Sequence, residues 1–146
     1  MPKTPPKGLM LLMRLANNIH VALYRTSRGK FAGEIAQMPL LLITTYGRKT
    51  GKPHTNPVAY IRDGKDYLVS ASTGGMPWNP AWYFNLKDHP DIKIQVGDQP
   101  IDVHAEITQG KDRDQLYERF KAASPNFIKY EKGTSRVIPV VRLIPQ

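Results

Sequence analysis

Cysteine is absent from the 146 residues of this chain, which removes disulfide scaffolds, thiolate zinc sites and cysteine nucleophiles together. The same absence is compatible with a reducing compartment, so a cytoplasmic location is the expectation. Acidic residues are scarce, 12 against 21 lysines and arginines, leaving a formal net charge of +9. That surplus attracts polyanions, whether nucleic acid, anionic lipid or a polyanionic cofactor, and does not choose among them. Long apolar runs are missing too. Residues 9–13 are followed at once by Arg14, with no small-residue cleavage site; the run is too short for a signal sequence or a bilayer span, and no targeting or transmembrane segment is expected. His20, His54, His89 and His104 lack the i, i+4 spacing and acidic companions of a metal site, so no metal is expected. Glu34, Glu106, Glu118 and Glu131 form no hydrolase-like pair and read as solvated surface. No helix-turn-helix, zinc-finger or RNP-like pattern accompanies the positive charge, which argues against nucleic acid as a partner.

What is present suffices for one compact domain: 40% hydrophobic residues, with seven Tyr, two Trp and four Phe. Leu11, Leu12, Leu15, Ile19, Ala22 and Leu23 recur at helical spacing within 8–25, interrupted by Arg14, Asn18 and Arg25. Residues 1–28 therefore read as a basic amphipathic helical segment. Its apolar stripe would cover one end of the main domain, 29–146, or meet a membrane surface or a lipophilic substrate. From residue 40 the period changes to that of strands, at 40–45, 55–62 and 67–71, with Asp63-Gly64 as a hairpin turn. A second hairpin spans 92–96 and 101–108 around Gly97-Asp98-Gln99-Pro100, with Ile101, Val103, Ala105 and Ile107 on one face. A helix over 112–123 and a last strand over 137–144, whose Pro139 suits an edge, complete the pattern. Antiparallel runs with inserted helices predict a closed or half-closed α+β barrel.

Three blocks carry chemistry. In Thr44-Thr45-Tyr46-Gly47-Arg48-Lys49-Thr50-Gly51-Lys52-Pro53-His54, two glycines bracket three cations on a loop, which lets backbone amides and side-chain charges approach an anion closely. A hairpin turn with solvated cations is the plainer reading. Ser72-Thr73-Gly74-Gly75 leaves a strand without side-chain bulk, so successive N–H groups could face the edge of a flat heterocycle; taken alone it is a flexible loop. In Asn79-Pro80-Ala81-Trp82-Tyr83-Phe84-Asn85-Leu86, Asn79 can cap a helix over 80–87 and Pro80 fits its first turn. Trp82 and Leu86 share a face, as core or as ligand wall.

In this order and spacing the blocks resemble the deazaflavin-dependent nitroreductase family, flavin/deazaflavin oxidoreductases that use coenzyme F-420 on a split β-barrel. The pattern is T-T-x-G-R-K-[ST]-G-K-P, then S-x-G-G, N-P-x-W-Y-x-N-L and a short I-P-V strand at Ile138-Pro139-Val140, and it runs from about Gly29 to Leu143. The resemblance implies a mostly antiparallel split barrel with an N-terminal helix and short helices packed around it, and a cofactor-binding role for residues 29–146. It implies hydride transfer from reduced F-420 to an electron-poor small molecule: a quinone, an activated enone or a nitro compound. The same resemblance assigns Arg48, Lys49 and Lys52 to the phosphate-bearing tail and Ser72, Thr73, Gly74 and Gly75 to the ring. Thr50, Gly51, His54, Asn56, Trp82 and Asn85 are further cofactor-binding candidates. Three departures stand out: Thr73 where members often carry Lys, His54 where they carry Arg, and Phe127 where a tyrosine is common. Tyr130 remains as the pocket's polar contact and proton source. An FMN-dependent split-barrel enzyme and a non-catalytic polyanion-binding module are the alternatives. A monomer and a homodimer are both compatible with the sequence, and the basic N-terminal helix suggests peripheral contact with the inner face of a membrane.

Overall fold

The structure, a computed structural model, describes residues 4–30, 34–35 and 38–146, the side chains of 34–35 excepted, so the expectation for Glu34 lies outside the described residues. In chain order the elements are α1 (Lys7–Thr26), β1 (Glu34–Ile35), β2 (Met38–Tyr46), β3 (Pro53–Asp63), β4 (Asp66–Ser70), α2 (Ala81–Asp88), β5 (Asp91–Val96), β6 (Gln99–Ile107), α3 (Gly110–Ala123), α4 (Asn126–Lys132) and β7 (Val140–Pro145). Six strands pair antiparallel in the order β2-β3-β4-β7-β6-β5, and β5 returns to β2, with Leu42 opposite Gln95, Ile43 opposite Ile94 and Thr44 opposite Lys93. The sheet is thus a closed barrel, which leaves these six strands without a free edge. The fold is the expected α+β barrel.

Strand alternation explains why 38–43 reads as an unbroken apolar run. Leu41 and Ile43 point into the barrel with Val69, Ala71, Ile92, Ile94, Val103, Val141 and Leu143. Leu40 and Leu42 point outward and are buried with Val21 and Tyr24 of α1. Both faces of β2 are therefore covered, and no polar residue is needed on either. A third cluster covers another outer face: Leu68 and Val140 pack under Leu116, Tyr117 and Phe120 of α3 and Phe127 of α4. The Tyr117 hydroxyl donates to the Phe127 carbonyl at 2.7 Å, joining the two helices, and burial pushes this phenol up to about 12.

Helix α1 is fixed to the barrel at two points. Asn17 donates to the Thr55 carbonyl (2.8 Å) and accepts from Asn56 (3.0 Å). The Tyr24 hydroxyl donates to the Leu40 carbonyl (3.0 Å) and accepts from the Gly97 amide (2.8 Å). The helix thus runs from the start of β3 toward the start of β2. Residues 7–16, about 15 Å of helix at 1.5 Å per residue, lie beyond the first anchor on the side of the β2–β3 turn.

Four local expectations are corrected. The β5–β6 turn is the two residues Gly97-Asp98, because Val96 pairs with Gln99 and the ladder takes in Gln99 and Pro100. The β3–β4 turn is Gly64-Lys65, since Asp63 still pairs with Asp66. The last strand begins at Val140 and lies between β4 and β6, so it is no edge; Pro139 stays one residue outside it, where its carbonyl accepts the Ala71 amide at 2.9 Å. Asn79 does not cap α2: Pro80 holds the cap position, and the Asn79 side-chain oxygen is taken by Arg136. Helix α4 carries no apolar periodicity long enough to be read from sequence.

Tyr24→Phe is expected to leave a buried carbonyl and the Gly97 amide without this partner, at a cost of about 1–3 kcal/mol. A lower urea midpoint with unchanged slope is the expected result; a midpoint equal to that of the parent would show that α1 is held by apolar contact alone.

Candidate functional site

Antiparallel alternation gathers the C-terminal ends of β2, β4 and β6 and the N-terminal ends of β3, β5 and β7 at one end of the barrel. All three chemical blocks of the sequence lie there. Helix α2 closes this end from within. Trp82 and Leu86 belong to the interior cluster, and buried Asn85 donates to the buried Thr45 hydroxyl at 3.1 Å. Trp82 and Asn85 therefore face the core, away from any open surface. Of the candidate cofactor contacts, these two are used by the fold itself.

The β2–β3 turn stands above α2. The Gly47 amide donates to the Lys52 carbonyl and the Gly51 amide to the Gly47 carbonyl, both at 2.9 Å. A Cβ at Gly47 would sit 2.9 Å from the Thr50 hydroxyl and 3.2 Å from His54 Nε2, so a larger residue there would displace those two side chains. Arg48 lies over the Phe84 ring, 5.0 Å from its centroid, which ties the turn to α2. Arg48, Lys49, Thr50, Gly51, Lys52 and His54 are exposed. Among the described residues no carboxylate pairs with Arg48, Lys49 or Lys52. Three uncompensated cations on one turn give it a positive potential. Asn56 stands apart from this group, because its amide is engaged by Asn17 of α1.

After β4 the chain makes a 3-10 turn over Thr73–Gly75. Three successive residues are left-handed: Thr73 at φ 48°, Gly74 at 60° and Gly75 at 81°. Ser72 before them is right-handed, and its carbonyl accepts the Gly75 amide at 2.9 Å. A Cβ on Gly75 would lie 2.9 Å from the Tyr130 Cα, so the loop and α4 touch backbone to backbone. A Cβ on Gly74 would meet nothing within 4 Å, so that side of the loop is open. Ser72 and Gly74 line a cavity of about 100 Å³ together with Met38, Ala59, Ser124, Asn126, Phe127 and Tyr130. The Thr73 hydroxyl and the Trp78 indole nitrogen are buried without a hydrogen-bond partner, a state that native proteins seldom leave unexplained.

Comparison with known proteins gives the site its context. The family model of F-420H(2)-dependent quinone reductase matches residues 16–145. The chain belongs to that family. It is thus an oxidoreductase of a family defined by reduced coenzyme F-420. An F-420H(2)-dependent quinone reductase of Mycobacterium tuberculosis is 41% identical over 129 residues, covering 86% of this chain and 87% of that one. A solved F-420-H2 dependent reductase superposes with a TM-score of 0.66 at 35% identity, over 72% of this chain and 93% of that one. A second solved chain, described as a domain-swapped dimer, gives 0.68 at 29% identity, over 92% of this chain and 98% of its own.

One residue at this end of the barrel lies outside the three sequence blocks. The Arg136 guanidinium donates to the carbonyls of Ala71 (3.1 Å), Ser72 (2.8 Å) and Met76 (3.0 Å) and to the Asn79 side chain. It joins no block, because its partners lie 57 to 65 residues away. Among the described residues no three histidines, aspartates or glutamates gather as metal ligands.

Gly75→Ala is expected to force the loop off α4 and to cost about 1–3 kcal/mol, since both the left-handed backbone and the contact resist a side chain. Urea unfolding measures it; a change below about 0.5 kcal/mol, the range of an ordinary surface substitution, would refute the close approach.

Proposed function

We propose that this chain reduces a lipophilic quinone with a hydride from reduced coenzyme F-420, the tail held by the cationic turn and the ring by the loop at Thr73–Gly75. The observation that carries this reading is the delivery of unpaired cations and an open glycine loop to one barrel end, with a cavity lined in part by Tyr130 beside the loop. The residues present fit the cofactor. Arg48, Lys49 and Lys52 have no carboxylate partner, Gly74 faces open space, and the Thr73 hydroxyl lacks a hydrogen bond. When bound, the reduced deazaflavin supplies a hydride from its C-5 carbon. Arg48, Lys49, Thr50, Gly51, Lys52 and His54 would bind the anionic tail. Backbone amides of Ser72, Thr73 and Gly74 would hold the ring's polar edge, while Gly75, whose amide donates to the Ser72 carbonyl at 2.9 Å, shapes the loop around it. Trp82 and Asn85 shape the floor from inside and make no direct contact.

Reduction of a quinone to its hydroquinone takes one hydride and one proton. Tyr130, half-buried and lining the same cavity as Ser72 and Gly74, would supply the proton from its phenol oxygen. Phe127, where a second tyrosine is common, is buried against Phe120, Tyr117 and Tyr130 and offers only an apolar edge. A quinone with an apolar tail suits this wall better than a compact, polar nitro compound does.

Helix α1 supports delivery from a lipid surface. Leu11 and Leu12 are 70% and 63% exposed, and Leu15 and Ile19 are more than half exposed. Lys7, Arg14 and Arg25 lie on the same helix, a combination suited to an anionic bilayer. Among the described residues no helix is long and apolar enough to cross a membrane, so the contact would be peripheral.

Titration with oxidised F-420 and, separately, with FMN tests the cofactor. Tight F-420 binding is expected, and binding of FMN alone would overturn the reading. Lys49→Ala should raise the F-420 dissociation constant roughly 5- to 10-fold, the range for one charge-assisted contact, with thermal stability unchanged. Mixed with the reduced cofactor, a prenylated quinone should be consumed faster than a nitroaromatic; the reverse order would reassign the acceptor. Co-sedimentation with phosphatidylglycerol vesicles should be strong at low salt and should fall on Leu11→Glu/Leu12→Glu substitution. No sedimentation at low salt would remove the membrane arm.

A further inference from the structure

The turn closes through two hydrogen bonds of its own, from the Gly75 amide to the Ser72 carbonyl (2.9 Å) and from the Met76 amide to the Thr73 carbonyl (3.1 Å). Gly74 and Gly75 adopt the left-handed conformation without steric penalty, whereas Thr73, at φ 48°, costs of order 1–3 kcal/mol there. Apart from the bond of the Ala71 amide to the Pro139 carbonyl, a single side chain holds both flanks of the triplet. On the N-terminal side Arg136 Nη2 donates to the carbonyls of Ala71 and Ser72; on the C-terminal side Nε donates to Met76 and Nη1 to Asn79. Arg136 does not line the cavity, whereas Ser72 and Gly74 do. The guanidinium therefore grips the loop from behind. Its partners are neutral: among the described residues no carboxylate forms an ion pair with it. A partly buried cation with no counter-ion acts at greater range than one in water. Burial lowers its pKa from the ordinary arginine value, yet a guanidinium remains charged at any working pH.

We propose that Arg136 is the positioning residue of the ring-binding loop: it clamps both flanks of the Thr73–Gly75 turn and sets a fixed positive charge behind the surface that meets the deazaflavin. The inference rests on the cofactor placement proposed above. Lysine could supply the charge but not the planar fork that reaches both flanks, so the two roles separate on substitution.

Amide hydrogen exchange of the free protein reads the clamp without any ligand. In Arg136→Met, exchange at residues 72–76 should rise about tenfold or more while β2 and β3 keep their protection. Arg136→Lys should also exchange faster in the loop. The charge is read from the absorption of bound, oxidised 8-hydroxy-5-deazaflavin lacking its phosphate tail, since a nearby cation favours the ring's ionised form. Arg136→Lys should retain the parent absorption, and Arg136→Met should move it and weaken both this fragment and whole F-420 by a common factor of about ten. Lys49→Ala should weaken whole F-420 and leave the fragment unaffected. Parental loop exchange together with parental fragment affinity in Arg136→Met would overturn the proposal. If the Met variant also loses protection in the barrel, Arg136→Lys decides, and parental loop exchange there is the refuting result. A parent protein that binds neither ligand would sink the cofactor reading, while loop exchange would still decide the clamp.

Discussion

Closure of the sheet between β2 and β5 is the constraint on which the remaining architecture depends. Leu42, Ile43 and Thr44 must pair with β5 on one side and with β3 on the other, so β2 has no free edge. With both edges used, side chains alone decide what covers its faces. Leu41 and Ile43 fill the barrel, and Leu40 and Leu42 require α1 outside. The amphipathic helix, the barrel interior and the turn that follows β2 are all set by this one doubly paired, doubly buried strand.

Closure also determines where chemistry can occur. Strands that alternate in direction deliver their C-terminal loops to alternate ends, and β2, β4 and β6 share one of them. The cationic turn and the glycine loop come from neighbouring even positions in that alternation, although about 20 residues of chain separate them. Helix α2 then stoppers the opening with Trp82 and Leu86 and aligns the turn through Phe84 and Arg48. The resulting end combines a rigid floor with a polar, cationic rim, a division of labour suited to a large anionic cofactor and a small apolar acceptor. The strongest ion-pair network, in which Arg142 joins Asp63 and Asp66, lies at the other end. There it holds the Asp63 carboxyl below its usual range, chiefly through the hydrogen bond from Arg142, and has no part in the site.

Much of this was legible in the chain because the signals are local. Helix α1 follows from a 3.6-residue apolar period, and the hairpins follow from alternation and Gly-containing turns. The G-R-K-T-G-K-P turn is legible because its cations and glycines act within a few residues of one another. Errors arose where a long-range partner overrode local preference. Asn79 suits a helix cap but is claimed by Arg136, and Pro139 suits an edge but stands just outside an interior strand. Trp82 and Asn85 look like ligand contacts in a motif, and the barrel takes them for its own packing.

The sequence by itself determined the α+β class, the basic surface, the absence of cysteine chemistry and the residues that form the cationic turn, because each depends on composition or on neighbours a few positions apart. Only the tertiary structure decided which face of each motif is exposed, that Tyr130 and Ser72 line one cavity, and that Arg136 holds the flanks of the Thr73–Gly75 loop. Those relations join residues some 50 or more positions apart, and their geometry is fixed by strand register and barrel closure, which no local period encodes.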